Sequence, residues 1–196
     1  MSIINVVGAK IWGGGEQYVY DICKQLQQRH RTAYILVDQS NEDMQSRYAQ
    51  VGHVMTANLY TLKGFLSVNA VAKQVKEQGI NTIVCHSGKY ILFCIALKQL
   101  TGAKLVFIKH NLVPGKTDMY HRWINAQVDA FVCVSKLVYD DLMTPVIKDT
   151  SKYHVVHNGI DPNRFQSFSD TVPMKSKVRT FGYSARITER KGLYLI

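Results

Sequence analysis

The feature that most constrains this chain is a recurrence: short apolar runs of strand length, each followed by a longer segment whose apolar residues repeat at helical spacing. Thr82-Ile83-Val84-Cys85, Leu105-Val106-Phe107-Ile108 and Ala130-Phe131-Val132-Cys133-Val134 are continuously apolar-rich rather than alternating. Continuity of that kind belongs to strands covered on both faces, as in a parallel sheet, whereas a strand with one wet face alternates. Between such runs, Val19, Ile22, Cys23 and Leu26 mark one face of a helix over 16–30. Leu66, Ala70, Val71 and Val75 mark another over 65–78, closed by Gly79. Parallel strands require crossover connections, so repeated strand–helix–strand units predict an α/β fold, a doubly wound parallel sheet with helices on both faces.

The same reading predicts strands at Ile3–Val7, 33–37, 53–59, 104–108 and 154–156, and helices over 41–50, 89–100, 118–127 and 136–143. The rhythm then breaks. Arg164 to Lys177 is rich in Ser, Asp, Pro and Lys, as inter-domain linkers are. The expected organisation is a first domain over 1–165, a linker over 166–177, and the start of a second domain over 178–196. With 196 residues, one domain and part of another is the natural expectation.

Composition narrows the partners. A net charge of +10, from 24 Lys and Arg against 14 Asp and Glu, favours phosphate-bearing ligands, anionic lipid headgroups or nucleic acid. Nucleic acid ranks last, because no helix clusters Arg and Lys and no aromatic-basic module is present. No leader with a cleavage site precedes the first strand, and no run approaches the roughly 18 apolar residues a spanning helix needs. The expected location is cytoplasmic, at most peripheral at the inner membrane face. Cys23, Cys85, Cys94 and Cys133 form no C-x-x-C pair and no cluster with His, so buried free thiols are expected, with neither metal site nor cofactor.

Ligands of open parallel sheets bind beyond the carboxyl ends of the strands, and there this sequence is polar in a consistent way. Gly13, Gly14 and Gly15 follow the first strand; His86, Ser87 and Gly88 follow the 82–85 run. His110 and Asn111 follow the 104–108 strand, Ser135 the 130–134 strand, and His157, Asn158 and Gly159 the last. Glycines at a helix start let a ligand approach the backbone and leave amide N–H groups for phosphate or sugar hydroxyls. The dinucleotide fingerprint G-x-G-x-x-G fails, since Tyr18 occupies its sixth position, although Asp38 mimics the acidic residue that would bind ribose. His110 is the strongest candidate for contact with a reacting group, because an imidazole can donate or accept near neutrality. Plainer roles stand beside each of these: a flexible turn for the glycines, backbone capping for His86 and His157, and a turn signal for Asn158-Gly159 with Asp161-Pro162.

Taken in order, five segments resemble a known family. They are G-G-G-E-Q-Y-V-Y-D-I from Gly13, I-K-H-N from Ile108, V-D-A-F-V-C-V-S from Val128, V-V-H-N-G-I-D-P-N-R-F from Val155, and G-Y-S-A-R-I-T-E-R-K-G-L from Gly182. The chain resembles the Rossmann-like N-terminal domain of a family 4 glycosyltransferase of the GT-B fold, running into the start of the second domain. That resemblance implies transfer of a sugar from a nucleotide-sugar donor to a glycan or lipid-linked acceptor, with retention of configuration and without an obligatory metal. It places Gly14 and Gly15 near the donor phosphate and the acceptor, while Gly13, His86, Ser87 and Asn111 on the same rim are candidate acceptor-side residues. His110 then lies on the transferred sugar, and Arg186 and Lys191 on the diphosphate, where two cations stabilise the charge that builds as the donor bond breaks. Ala185 stands where the family more often has glycine before the arginine. The family's paired glutamates fall in the second domain and are absent from the sequence, so the chain reads as a truncated form, inactive alone. The competing expectation is a non-catalytic nucleotide- or phosphate-binding module using Gly13 to Gly15 and Asp38.

Overall fold

The computed structural model describes residues 2–60, 62–143 and 150–160. Seven strands, β1 (Ile3–Val7), β2 (Ala33–Asp38), β3 (His53–Ala57), β4 (Thr82–Cys85), β5 (Lys104–Lys109), β6 (Ala130–Cys133) and β7 (Tyr153–Val155), form one sheet in the order β3-β2-β1-β4-β5-β6-β7. Every pairing is parallel. The crossovers carry α1 (Gly14–Gln28), α2 (Glu42–Tyr48), α3 (Leu62–Glu77), α4 (Ile91–Thr101), α5 (Met119–Gln127) and α6 (Lys136–Leu142). The strand order reverses between β1 and β4. At that switch point the loops after the two neighbouring strands turn opposite ways and leave a crevice.

Side chains of the central strands divide between two cores, one per sheet face. Ile4 and Val6 of β1, Leu36 of β2, Ile83 and Cys85 of β4 and Leu105 and Phe107 of β5 belong to a core with Val71, Val75, Phe93 and Leu97. Val7, Ile35 and Val37 point the other way, into a smaller core with Val19, Cys23, Met44 and Tyr48. The continuous apolar runs are thus explained by burial on both sides. The described residues fall within one compact unit, Met1–Ile160.

The helix ends differ from the periodicity in instructive ways. Gly79 (φ 61°) and Gly102 (φ 73°) close α3 and α4 in the left-handed conformation, as expected. The first helix stops two residues early because His30 itself adopts φ 54°. There the Arg31 N–H reaches back to the Leu26 carbonyl at 2.9 Å. Asn41 and Asp118 cap α2 and α5 from outside, accepting from the Met44 and His121 amides at 3.1 Å each. The expected 89–100 helix begins as a 3-10 turn, Gly88–Tyr90, before α4. Strand β3 ends at Ala57 because the Leu59 amide donates to Asp38 Oδ2 (2.9 Å) instead of continuing a ladder. The expected linker over 166–177 and second-domain start over 178–196 lie outside the described residues.

Candidate functional site

The site grows from three adjacent strands and the helix that covers them. On β1, Asn5 alternates with Ile4 and Val6 and so faces α1, where it is 3% exposed. Register pairs Asn5 with Val84, and Val84 with Val106. His86 follows Val84 by two residues and His110 follows Val106 by four, so the period of two puts Asn5, His86 and His110 on the same face. Each step outward lies about 6–7 Å further toward the carboxyl edge. A staircase of polar side chains thus climbs from the interior to the rim.

The steps touch. Asn5 Oδ1 lies 3.1 Å from His86 Nε2, and His86 Nδ1 lies 3.0 Å from His110 Nε2. The two imidazoles are stacked with centroids 5.3 Å apart, and Tyr18 meets them edge-on at 5.2 Å from His110 and 6.3 Å from His86. A little of the His86 residue remains open to solvent, but its ring is boxed between Tyr18, Asn5 and His110. Burial, then the neighbouring His110, hold its conjugate acid down to about 3, so it stays neutral through the physiological range. Burial also lowers His110 and raises the Tyr18 phenol.

Helix α1 supplies the ceiling. Its N-cap is Gly13, extended at φ −153° and ψ −167°, with no side chain to satisfy the first amides. Gly14 and Gly15 lie one turn before Tyr18, at i−4 and i−3, on the helix face that carries the ring over the histidines. Among the described residues, a Cβ on either would meet nothing within 4 Å. Packing among the described residues therefore does not demand glycine, although each costs up to about 1 kcal/mol against alanine inside a helix. What the two glycines leave is open space beside exposed amide donors at a helix N-terminus, a setting that suits a phosphate or a sugar hydroxyl. On the opposite sheet face, Lys109 places its ammonium 4.7 Å from the Phe107 ring centre, and burial lowers its pKa despite the nearby Cys133 and Cys85.

Not every expected residue joins this cluster. His86 and His110 meet, and Gly13, Gly14 and Gly15 open the helix whose Tyr18 packs on both rings. Ser87 is occupied as a cap of the 3-10 turn, its Oγ accepting from the Lys89 amide at 3.3 Å. Asn111 is exposed at the start of the loop after β5. His157 is exposed as well. Arg186 and Lys191 lie outside the described residues. Asp38, the acid of the dinucleotide reading, has both oxygens engaged: Oδ1 by the Ser40 amide and hydroxyl, Oδ2 by Leu59. Burial alone would raise its carboxyl, but those bonds and the charge of Lys10 outweigh that and hold it below the usual range. It works as a clasp between β2 and the segment after β3. A cleft of about 320 Å³ lined by Ala9, Lys10, Asp38, Ser40, Asn41 and Tyr60 opens beside it.

Sequence reasoning passed over two members of the site. Tyr18 registered only as the residue that breaks the dinucleotide fingerprint. Asn5 had a visible signal, being the lone polar residue in Ile3-Ile4-Asn5-Val6-Val7, and a buried amide needs partners.

A parallel sheet with helices on both faces, and a glycine-started helix over its switch point, define a Rossmann-like α/β domain of the kind that forms half of a GT-B enzyme. Residues 12–164 match the model of Glycosyltransferase Family 4, and the chain belongs to that family. Its fold is similar to a glycosyltransferase from Rickettsia africae ESF-5, with a TM-score of 0.72 and 19% identity over 84% of this chain and 44% of that one. It is also similar to Anabaena Alr3699/HepE, solved with UDP and glucose, at TM-score 0.66 and 18% identity over 87% of this chain and 48% of that one. Acinetobacter baumannii MurG aligns at TM-score 0.58 and 11% identity, covering 82% of this chain and 47% of its own. The chain thus spans somewhat under half the length of these solved proteins. No curated protein matches its sequence.

Proposed function

We propose that this chain is the acceptor-side half of a retaining glycosyltransferase that moves a sugar from a nucleotide-sugar donor to a glycan or lipid-linked acceptor in cell-envelope synthesis. The observation that carries the reading is the open space at Gly14 and Gly15, at the start of the helix whose Tyr18 packs edge-on against the His86–His110 pair. In this reading the glycines admit the donor phosphate and the acceptor, and His110 contacts the transferred sugar. Arg186 and Lys191 bind the diphosphate, where positive charge favours the transition state more than the ground state. The structural neighbour solved with UDP and glucose supports a uridine nucleotide as the donor class. The engaged carboxylate of Asp38 disfavours the dinucleotide alternative.

The test is release of nucleoside diphosphate from a panel of nucleotide sugars by the protein joined to the second half of the family fold. His110→Ala should lower kcat at least 10²-fold, on the order of one lost transition-state hydrogen bond. An unchanged rate would remove His110 from the reaction. The 196-residue chain alone should release nothing, and turnover by it would overturn the assignment of donor chemistry to the second half.

The acceptor side faces an anionic bilayer in this proposal. Leu112, Val113, Met119, Tyr120 and Trp123 are all exposed, Met119 at 87%, in one stretch with Lys116 and Arg122. Aromatic and basic residues together suit the headgroup region, and the net charge of +10 has the matching sign. No helix among the described residues is long and apolar enough to cross a membrane. Flotation with vesicles of phosphatidylglycerol and phosphatidylcholine should show binding that Trp123→Ser weakens. Equal recovery with neutral and anionic vesicles would refute the surface.

A further inference from the structure

We propose that His110 is held in a single tautomer, with its proton on Nε2, by a buried relay from Cys23 through Asn5 and His86, and that its Nδ1 is thereby reserved to accept a hydrogen bond from a sugar hydroxyl. The choice of sugar as ligand rests on the function proposed above; the tautomer does not.

Each link follows from what the preceding group can donate. The Asn5 amide is 3% exposed, and its Nδ2 faces Cys23 Sγ at 3.8 Å, a weak acceptor. Its Oδ1 is the atom turned to His86 Nε2, at 3.1 Å. A carbonyl oxygen only accepts, so His86 Nε2 carries the hydrogen. A neutral imidazole has one N–H, and His86 is neutral because burial so strongly disfavours its charged form. His86 Nδ1 is then a bare lone pair, and at 3.0 Å it takes the hydrogen of His110 Nε2. Neutral His110 is left with an unprotonated Nδ1, which has no hydrogen bond among the described residues.

The relay also explains why two stacked histidines do not repel. Were His86 to take a second proton, its Nδ1–H would point at the Nε2–H of His110, and both donors would lose their acceptor. Burial of both rings, with Tyr18 packed across them, keeps that state out of the working range. The consequence for recognition is directional. Atom Nδ1 of His110 discriminates for a ligand O–H that donates, and against a carbonyl or ether oxygen at the same place, which would confront one lone pair with another. Asn5 and His86 act here as positioning residues, since neither is asked to touch the sugar.

Long-range proton–nitrogen NMR of the 15N-labelled chain at neutral pH reads the tautomers directly, because protonated and bare ring nitrogens resonate far apart. Both His86 and His110 should show a protonated Nε2 and a bare Nδ1. A protonated Nδ1 on His110 would mean that the Asn5 amide is turned the other way, and it would overturn the relay without any variant. In Asn5→Leu, checked for a native amide spectrum, His110 should relax to a mixture of tautomers; a tautomer unchanged from wild type refutes the part given to Asn5. His86→Phe should release His110 in the same way if Asn5→Leu does not fold. Titrating UDP-glucose into the protein joined to its second half should move the His110 Nδ1 resonance as it accepts a hydrogen bond. An Nδ1 that stays put removes the sugar contact while leaving the tautomer result standing, so the two failures are separable.

Discussion

At the scale of single residues, glycines of the same chain carry opposite meanings. A Cβ at Gly8 would come within 2.8 Å of Tyr60 Oη and of Tyr90 Cδ1 and Cε1, so the close approach of two rings requires glycine there. Gly8→Ala should cost about 1–3 kcal/mol of stability as overpacking, seen as a lower urea midpoint with unchanged slope. Gly15→Ala meets nothing among the described residues and should leave the midpoint equal or higher, by up to about 1 kcal/mol, while the proposed function requires that it impair transfer by the protein joined to its second half. A variant at Gly15 that is both less stable and fully active would contradict the reading of that space as a ligand site. His86 sets an acid limit. Its folded pKa, about 3, lies below the ordinary imidazole value, so the unfolded chain binds the extra proton first. Stability is fully present above about pH 6.5 and is lost as pH falls toward 3, by at most about 1.4 kcal/mol per pH unit from this group. Urea midpoints measured from pH 7 to 4 should fall more steeply for wild type than for His86→Gln.

At the scale of elements, the ends are set by side chains that reach between segments. Asp129, at the turn into β6, accepts from the Leu105 amide and from Lys98 Nζ, each at 2.7 Å, and so ties α4, β5 and β6 together. Burial would raise its carboxyl, yet those bonds and the Lys98 and Lys104 charges lower it overall. Asp129→Ala leaves the Leu105 amide without this acceptor and should cost about 1–3 kcal/mol in chemical denaturation, with Asp129→Asn costing less because an amide oxygen still accepts. Equal losses for the two would show that the charge, rather than the acceptor, matters. Such ties also mark where the sequence was legible and where it was not. The left-handed stops at Gly79 and Gly102 could be read in advance, since glycine announces itself. The stop at His30 could not, because nothing local marks that histidine for a left-handed turn.

For the molecule as a whole, burial on both sheet faces controls chemical reactivity as well as stability. All four cysteines are free and buried, and burial raises the thiols of Cys23, to about 12, and of Cys94 and Cys133. Thiolate is the reactive form, so iodoacetamide should modify none of them readily in native buffer and all four once urea unfolds the chain. Reductant should leave the Tm unchanged. Fast native alkylation of Cys23 would place it outside the core cluster that positions Asn5.

The sequence by itself determined the class of this protein. Apolar continuity in the strands and helical period between them point to a parallel α/β sheet covered on both sides, because strands that are apolar on both faces must be buried on both. The order of the glycine loop, His110 and the later motifs carried the family as well. What only tertiary structure decided is which polar residues meet. Asn5, His86 and His110 are separated by 81 and 24 positions along the chain and come together through parallel register and the outward stagger of β1, β4 and β5. Tyr18 joins them because α1 crosses at the point where the strand order reverses. Register and crossing are properties of paired strands and packed faces, so no single segment could announce them.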